Sequence, residues 1–266
     1  MLFRSTLAIP LLYTVHGYHF EHKPWPMRQL ATSAERLISA RMDLTIFVSN
    51  SDRDIAIRNR LVDDDEAPVI YNGIGDRSRY TGPRDEKVAD ITYVGRLVRQ
   101  KNPIFAVEIM SELRDAGLTM AIVGGGELEP DVRQRIAELG LTDHVRMLGP
   151  VSREVAIAAI ARSRIYLMPS LWEGLPITPM EAMINGVPVV ASKVGGTDEV
   201  VMDGETGFLI EDFSPKKYAE AIFTILTNKN LYEALSAASR TRVAVTFDRK
   251  KSSNLYMEQY RKILGA

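Results

Sequence analysis

Short apolar runs alternate with longer segments of helical periodicity along the chain after about residue 87. The predicted strands are 90–94, 119–123, 145–148, 165–168 and 188–191. The predicted helices between and after them are 103–116, 130–139, 153–162, 179–184, 215–227, 231–245 and 249–264. Strands that are apolar throughout and alternate with helices indicate a parallel sheet covered on both faces, so an α/β fold is expected.

Three of the predicted helix starts share one signature, a polar residue followed by proline. They are Asn102–Pro103, Thr178–Pro179 and Ser214–Pro215. Short polar side chains cap the free amides of a helix, and proline is favoured at the first helical position. We therefore expect all three polar residues to cap their helices.

The first 87 residues are organised differently. Two strands are predicted at 11–15 and 44–48, with a helix at about 27–41 between them. The four acids at 63–66 indicate a solvated turn, and 72–85, rich in Gly, Arg and Asp, predicts a linker. Because so few elements cannot bury both faces of an α/β sheet, this segment is expected to be only part of a domain.

The composition is that of an ordinary globular protein, with 45% apolar and 25% charged residues. A length of 266 residues exceeds one domain of roughly 150 residues but falls short of two. The formal net charge of −1 gives no general attraction to nucleic acid, so no such partner is expected. The absence of cysteine excludes disulfides and thiolate metal sites, and makes a cytoplasmic location the simplest expectation.

Glycine-rich and charged segments follow four of the predicted strands, at 95–101, 124–127, 169–176 and 192–196. In open α/β sheets, ligands bind beyond the carboxyl ends of the strands, and parallel strands bring those ends to one edge. One such loop is weak evidence of function. Four at one edge predict a binding site.

Arg96 and Lys101, both in the first of these loops, predict an anion site. A guanidinium binds phosphate oxygens in pairs, and an ammonium adds a mobile point charge. The alternative is a pair of ordinary surface cations. In the second loop, Gly124-x-Gly126 lacks the third glycine of a dinucleotide fingerprint, which disfavours a nicotinamide dehydrogenase. Its glycines either let the backbone approach a ligand or simply form a turn.

Two glutamates, Glu173 and Glu181, are eight residues apart with a loop between them. Glu181 has a structural interpretation, because Thr178-Pro-Met-Glu181 matches a capping box in which the glutamate bonds back to the Thr178 amide. Glu173 is alternatively a simple rim carboxylate. The free amides of the helix that begins near Pro179 nevertheless point beyond the sheet, where a diphosphate would be favoured.

Histidines recur every third residue at His16, His19 and His22, but Gly17 and Pro24 argue against one helix presenting all three to a metal. One functional histidine on a loop is the preferred interpretation. An apolar stripe follows on the predicted helix and is expected to pack in a core rather than against a membrane. Its members are Trp25, Met27, Leu30, Leu37 and Ile38.

Several motifs in one order resemble those of glycosyltransferase family 4, which comprises retaining enzymes of the GT-B fold that use nucleotide sugars. They are Tyr93-Val-Gly-Arg-Leu97 with Lys101-Asn102, then 169–176, then Glu181-Ala-Met183, then 186–192 with Gly195-Gly196. Glu173 to Glu181 is similar to the family's Glu-x7-Glu motif. The segment 13–20, Tyr-Thr-Val-His-Gly-Tyr-His-Phe, resembles bacterial members that build surface polysaccharides.

The resemblance implies a role for each site residue. Arg96 and Lys101 would hold the donor diphosphate and neutralise the leaving nucleotide. Glu181 would bond the ribose hydroxyls, and Glu173 the sugar hydroxyls and distal phosphate. Backbone amides assist Glu173, those of Gly174, Leu175, Pro176 and Ile177. The backbone near Val151 would contact the base, and Gly124 would admit the ligand.

Catalysis is implied by the same resemblance. His16 would face the sugar from the amino-terminal domain and complete a catalytic set with Arg96, Lys101 and Glu173. Without a covalent nucleophile, retention implies front-face attack, with the leaving phosphate accepting the acceptor's proton. No cofactor or metal is expected. The donor would be a substrate such as a UDP- or GDP-hexose, and the acceptor a glycan or lipid-linked sugar in polysaccharide biosynthesis.

Family members begin with a complete Rossmann-like domain, whereas this chain is expected to begin near its middle. The resulting expectation is a partial amino-terminal domain and linker at 1–86, a nucleotide-sugar-binding domain at 87–246, and a helix at 247–266 that packs back on the amino-terminal part. One alternative is a non-catalytic or split-enzyme fragment that needs the missing half. Another is a sugar-nucleotide epimerase. A peripheral contact with the inner face of the membrane is a further expectation.

Overall fold

A computed structural model of the chain describes residues 9–63, 67–75, 80–83 and 86–265. The fold divides into two compact units. One comprises Met1–Gly73 and Arg249–Ala266, and the other Ile74–Asp248. No helix within the described ranges is both long and apolar enough to cross a bilayer.

The first unit contains a two-stranded parallel sheet, β1 (Leu12–Val15) and β2 (Leu44–Phe47), in register Leu12 to Leu44. The helix α1 (Trp25–Ser39) joins the strands, and α2 (Asn50–Arg58) follows β2. The strands and α1 confirm the predicted elements. The core of this unit is small, formed by Val15, Tyr18, Phe20, Phe47, Ala56, Leu61 and Ala67.

Two features of this unit differ from the expectation. The apolar stripe of α1 does not pack in a core, because its members are exposed, from Ile38 at 40% to Trp25 at 75%. The buried residue of α1 is instead Ser39, at its last position. The helix α2 was not predicted, although Ser49 and Asp52 signal its start: the Ser49 hydroxyl accepts a hydrogen bond from the Asp52 amide. The acidic run 63–66 lies largely outside the described residues.

The described residues of the second unit form a sheet of six parallel strands. In chain order they and their helices are β3 (Ala89–Val94), α3 (Pro103–Ser111), β4 (Met120–Val123), α4 (Glu129–Glu138), β5 (Val145–Gly149), α5 (Arg153–Ala161), β6 (Ser163–Met168), α6 (Ile177–Ile184), β7 (Val189–Ser192), α7 (Thr197–Val200), β8 (Gly207–Ile210), α8 (Pro215–Thr227) and α9 (Lys229–Thr246). The spatial order of the strands is β5-β4-β3-β6-β7-β8. This confirms the predicted α/β class with a parallel sheet.

Side chains alternate across this sheet. Ile91 and Tyr93 of β3 join a core with α3 and α8. The intervening Thr92 turns to the opposite face, where its hydroxyl donates to the carbonyl of Ala159 in α5. Helices therefore cover both faces of the central strands, which explains why those strands are apolar along their whole length.

The predicted caps before proline are wrong in all three cases. Asn102 is in the left-handed region, with φ of 52°, and therefore lacks the extended backbone that a cap requires. Ser214 makes no capping hydrogen bond. Thr178 lies inside α6, which begins one residue earlier at Ile177. Side-chain caps occur instead at Ser49, Ser152 and Asn228.

The last helix, α10 (Arg249–Leu264), belongs to the first unit. The Ser252 hydroxyl donates to the Tyr71 carbonyl at 2.8 Å. Gly73 lies against the start of the helix, where a Cβ would come within 2.5 Å of the Arg249 Cα. The chain therefore returns to the first unit after completing the second.

A buried carboxylate fixes the start of β3. Asp90 is 3% exposed, and its Oδ2 accepts from the Thr119 amide at 3.1 Å and hydroxyl at 3.0 Å. Lys87 Nζ lies 2.9 Å from Oδ1. Burial alone would raise the pKa of Asp90, but these hydrogen bonds from Lys87 and Thr119 outweigh it and hold the pKa below its usual value.

We expect acid to destabilise the fold partly through Asp90. A carboxyl whose pKa is lowered by folding stabilises the protein above its unfolded pKa, near 3.8, and that stabilisation disappears as pH falls through the lower folded value. Asp90→Asn should cost about 1–3 kcal/mol near neutral pH, because a neutral amide replaces the charged acceptor of Lys87 and Thr119, and it should flatten the loss in acid. Urea unfolding as a function of pH measures both effects. The exposed Asp143→Asn is the matched control, and equal acid slopes for wild type and Asp90→Asn would disprove the linkage.

Candidate functional site

The loops at the carboxyl edge of the six-stranded sheet are joined by backbone hydrogen bonds. Gly95 donates to the carbonyl of Val123, and Leu97 donates to that of Gly125 at 2.9 Å. Leu128 donates back to Leu97. The loops after β3 and β4 therefore form one layer, as their common position at the strand ends predicts.

Glycine is required where these two loops meet. Gly124 has φ of +131°, and a Cβ there would lie 2.0 Å from the Gly95 carbonyl oxygen. At Gly126 a Cβ would lie 2.5 Å from the Leu97 oxygen. At both positions the neighbouring atoms are backbone atoms of the loop after β3. Approach of these glycines to a ligand stays a prediction.

The loop after β6 is held from two sides. Leu171 donates to the Gln100 carbonyl at 2.8 Å, and Gln100 Nε2 returns a bond to the Trp172 carbonyl at 3.0 Å. On the other side, Gly196 donates to the Gly174 carbonyl at 2.8 Å. These bonds fix Glu173 between the loops after β3 and β7. Gln100 has no signal in the sequence, because its role depends on the tertiary arrangement.

The structure brings Lys101 and Glu173 together, 72 residues apart in the chain. Lys101 Nζ lies 2.6 Å from Glu173 Oε1, and the two side chains are 23% and 6% exposed. Because the pair is well shielded from water, its Coulombic attraction is screened less than that of a surface pair. The pair presents one ammonium and one carboxylate at the edge of the sheet.

A buried tyrosine, Tyr93, bonds the backbone of the loop that carries Lys101. The Tyr93 hydroxyl lies 3.2 Å from the Lys101 carbonyl and 3.3 Å from the Arg96 carbonyl, and it donates to these oxygens. Burial and the neighbouring Glu173 carboxylate raise the pKa of Tyr93 far above its usual range. Tyr93 is therefore a neutral donor that joins the backbone at Arg96 to the backbone at Lys101.

Arg96 lies in the same loop as Lys101 but is exposed. Its guanidinium joins none of the ion pairs between residues that the structure describes. An exposed guanidinium beside a lysine–glutamate pair can turn toward an anion without first losing a partner. Arg96, Lys101 and Glu173 thus belong to one connected set of loops.

Glu181 is placed differently from the capping-box expectation. Because α6 begins at Ile177, Glu181 lies in its second turn and cannot cap its first residue. Instead its Oε1 accepts from Arg153 Nε at 3.0 Å and Nη2 at 2.6 Å. Its side chain is only 11% exposed, whereas that of Arg153 is 52% exposed. Arg153 was missed, since no local spacing links the first residue of α5 to a glutamate 28 positions later.

The residues between Glu173 and α6 include one that departs from the predicted role. Gly174, Leu175 and Pro176 are buried, while Ile177 is exposed at the start of the helix. Pro176 has no backbone N–H, so it cannot donate the amide hydrogen bond expected of it. The available amides are those of the other three residues. Val151, after β5, is exposed at the same edge of the sheet.

His16 lies in the first unit, directly after β1, and is exposed. The chain then forms a short 3-10 turn, His19–His22. Among the residues that the structure describes, no three His, Asp or Glu side chains are grouped in a way that could hold a metal ion. His16 belongs to the first unit, whereas Arg96, Lys101 and Glu173 belong to the second.

The chain is similar to known glycosyltransferases in its sequence. The family model for Glycosyl transferases group 1 matches residues 76–242, and that for Glycosyltransferase Family 4 matches residues 1–77. The chain is 27% identical to the Escherichia coli UDP-Gal:alpha-D-GlcNAc-diphosphoundecaprenol alpha-1,3-galactosyltransferase, covering 90% of this chain and 65% of that protein. It is 30% identical to the D-inositol 3-phosphate glycosyltransferase of Mycolicibacterium smegmatis, covering 91% and 60%.

Solved structures show the same fold. The Anabaena protein HepE in complex with UDP superimposes with a TM-score of 0.84 at 21% identity, covering 95% of this chain and 72% of that one. The sucrose-phosphate synthase of Thermosynechococcus elongatus gives 0.82 at 22%, covering 98% and 70%. These likenesses confirm the GT-B assignment. The chain spans only 65% and 60% of the lengths of the two curated relatives above.

Proposed function

Because the chain belongs to the group 1 glycosyl transferases, we propose that its carboxyl-edge loops bind a nucleotide-sugar donor and that it serves the transfer of the sugar with retention of configuration. The observation that carries this proposal is the pairing of Lys101 with Glu173 at 2.6 Å, with the exposed Arg96 on the same loop. Two cations at a glycine-rich edge suit a diphosphate. A neighbouring buried carboxylate suits sugar hydroxyls.

Binding of the donor would reorganise the ion pair. The diphosphate carries more negative charge than Glu173, so Lys101 and Arg96 would both turn toward it. The Glu173 oxygens would then be free to accept hydrogen bonds from the sugar. As the glycosidic bond breaks, the two cations would stabilise the charge that develops on the leaving phosphate.

Glu181 would accept the ribose hydroxyls, and Arg153 would hold it in place. The two bonds from Arg153 converge on Oε1, and no other described residue bonds the second oxygen of Glu181, which would accept from the nucleotide. The available amides of Gly174, Leu175 and Ile177 and the backbone near Val151 would complete the site. His16 would complete the catalytic set with Arg96, Lys101 and Glu173.

Replacing Arg153 by alanine should weaken UDP binding about tenfold, because Glu181 would lose the contacts that orient it. The same change should reduce the preference for UDP over 2′-deoxy-UDP, since that preference depends on a correctly placed Glu181. Arg153→Lys should keep part of both. Isothermal titration with the two nucleotides measures the effect, and the exposed Arg146→Ala is the charge control. If Arg153→Ala keeps the full preference for UDP over 2′-deoxy-UDP, then Arg153 does not orient Glu181.

The acceptor is proposed to be a glycan or a lipid-linked sugar. The name of the Escherichia coli relative specifies a sugar on a diphosphoundecaprenol lipid as its acceptor. The exposed apolar stripe of α1 supports a peripheral contact of this chain with the inner face of a membrane. The corresponding process is polysaccharide biosynthesis, with a UDP- or GDP-hexose as donor. Arg96 and Lys101 would neutralise the charge of the leaving phosphate, so no metal or cofactor would be required.

A second candidate is a chain that binds the donor but needs further polypeptide for turnover. Two observations support it: the described residues of the first unit hold only a two-stranded sheet, and the chain spans 65% of its Escherichia coli relative. A thermal-shift screen of nucleotide sugars, followed by product analysis, separates the candidates. Sugar transfer or donor hydrolysis would support the glycosyltransferase. Binding without turnover would support the second candidate, and formation of an epimer would support an epimerase. Absence of binding to every nucleotide would contradict donor binding altogether.

A further inference from the structure

A cationic cleft lies in the first unit between α1 and the end of α2. It encloses about 460 Å³, a volume in the range of small-molecule sites. We call it the arginine cleft, and it is lined chiefly by Trp25, Arg28, Arg36, Arg58, Asn59 and Arg60. None of these residues belongs to the donor site described above.

The cleft concentrates positive charge. Four of its lining side chains are arginines, and no acidic side chain of the described residues lines it. Glu21 is the acid that reaches two of them, with its Oε1 3.8 Å from both Arg28 Nη2 and Arg58 Nη2. Among the described residues, this one carboxylate, shared at 3.8 Å, compensates only part of the charge of four arginines, which favours an anion in the cleft.

Two walls of the cleft are fixed to each other. Arg36 Nη2 donates to the Asn59 carbonyl at 2.9 Å, which ties α1 to the end of α2. Asn59 Nδ2 donates in turn to the Ile55 carbonyl at 2.8 Å. The guanidiniums are therefore carried by a preorganised frame, which lowers the entropy lost when a ligand is held.

Arg60 lies where a helix usually ends in glycine. Its φ of 52° is in the left-handed region, which strains a residue with a Cβ. An arginine kept in this backbone conformation, where glycine would be relaxed, stores strain of the kind that often accompanies functional positions. The backbone there directs a fourth guanidinium to the cleft at a cost in stability.

We propose that the arginine cleft binds the phosphate monoester or diphosphate group of a phosphorylated ligand. Arginine forks match phosphate oxygens in pairs, and a phosphate carries enough charge to draw Arg28 and Arg58 away from Glu21. Trp25, 75% exposed at the rim, provides a flat apolar surface for the part of the ligand next to the phosphate. The donor site does not account for this cluster.

The test uses inorganic pyrophosphate and the full chain carrying Arg96→Ala and Lys101→Ala, so that the donor site does not contribute. Isothermal titration should show binding that weakens at least tenfold when Arg58→Gln and Arg60→Gly are added. Arg60→Gly relieves the left-handed strain, so misfolding would not explain the loss, and thermal unfolding checks this. Arg41→Gln removes a charge of the same helical region outside the cleft and is the control.

A second arm identifies the source of the phosphate. Sedimentation with phosphatidylcholine vesicles, with and without phosphatidic acid, should show binding that depends on phosphatidic acid and on Arg58 and Arg60 if the ligand is a lipid headgroup. Pyrophosphate binding without vesicle binding supports a soluble phosphorylated ligand. Binding to neither probe, or binding unaffected by the cleft substitutions, would overturn the proposal. These outcomes are independent of UDP binding by the second unit.

Discussion

Replacing Arg96 and Lys101 together by alanine is expected to lower the affinity for UDP or GDP by about 10²- to 10⁴-fold. A hydrogen bond to a charged group contributes about 1.5–3 kcal/mol, and 1.4 kcal/mol corresponds to a factor of ten. Arg96 is exposed, and Lys101 is held at 2.6 Å from Glu173. Both cations can therefore reach a diphosphate at the carboxyl edge. Isothermal titration of wild type and double variant measures the change.

The control for this experiment must separate lost contacts from a damaged fold. Lys101→Ala leaves Glu173, only 6% exposed, without its partner, which costs stability. Adding Glu173→Gln removes the uncompensated charge and should restore thermal stability without restoring UDP binding. Arg133→Ala with Lys216→Ala removes the same number of charges from exposed helix positions. An affinity of the Arg96/Lys101 variant within threefold of that control would exclude these cations from the donor site.

Gly195→Ala is expected to destabilise the second unit by about 3 kcal/mol or more and to abolish nucleotide binding. A Cβ at Gly195 would lie 1.8 Å from the Glu173 carbonyl oxygen, and its φ of +52° is unfavourable for alanine. The loop that carries Glu173 would have to move. Urea unfolding and UDP titration measure the two effects.

Gly140→Ala provides the matched comparison. Gly140 has φ of +64°, close to that of Gly195, but a Cβ there meets nothing within 4 Å. The substitution should cost only the backbone strain, about 1–2 kcal/mol, and leave UDP binding intact. Equal losses in the two variants would show that the approach of Gly195 to Glu173 has no importance for the site.

The sheet of the second unit was predictable because its signal is strong and local. Buried parallel strands such as β3 and β4 are continuous apolar runs, so their position follows from the sequence to within a residue or two. The missed elements carry weaker signals. The strand β8 begins with glycine and has four residues, α7 has four residues, and α2 is a short polar helix.

The candidate site was predictable in position but not in its internal contacts. Strand ends at one edge follow from a parallel sheet, so the loops carrying Arg96 and Glu173 were expected to meet there. Two of these contacts join segments far apart in the chain, Arg153 with Glu181 and Gln100 with Trp172. No periodicity in the sequence predicts such contacts. Capping failed at Asn102 because its backbone is left-handed, which the dipeptide Asn-Pro does not reveal.

The structure of the chain with UDP bound tests the central claim most directly, namely that the carboxyl edge of the six-stranded sheet binds the donor nucleotide. We expect the diphosphate within about 2.7–3.2 Å of the Arg96 and Lys101 nitrogens. The ribose hydroxyls should face Glu181, with Arg153 still bonded to that carboxylate. A nucleotide bound elsewhere on the chain, with Lys101 still paired to Glu173, would contradict the claim.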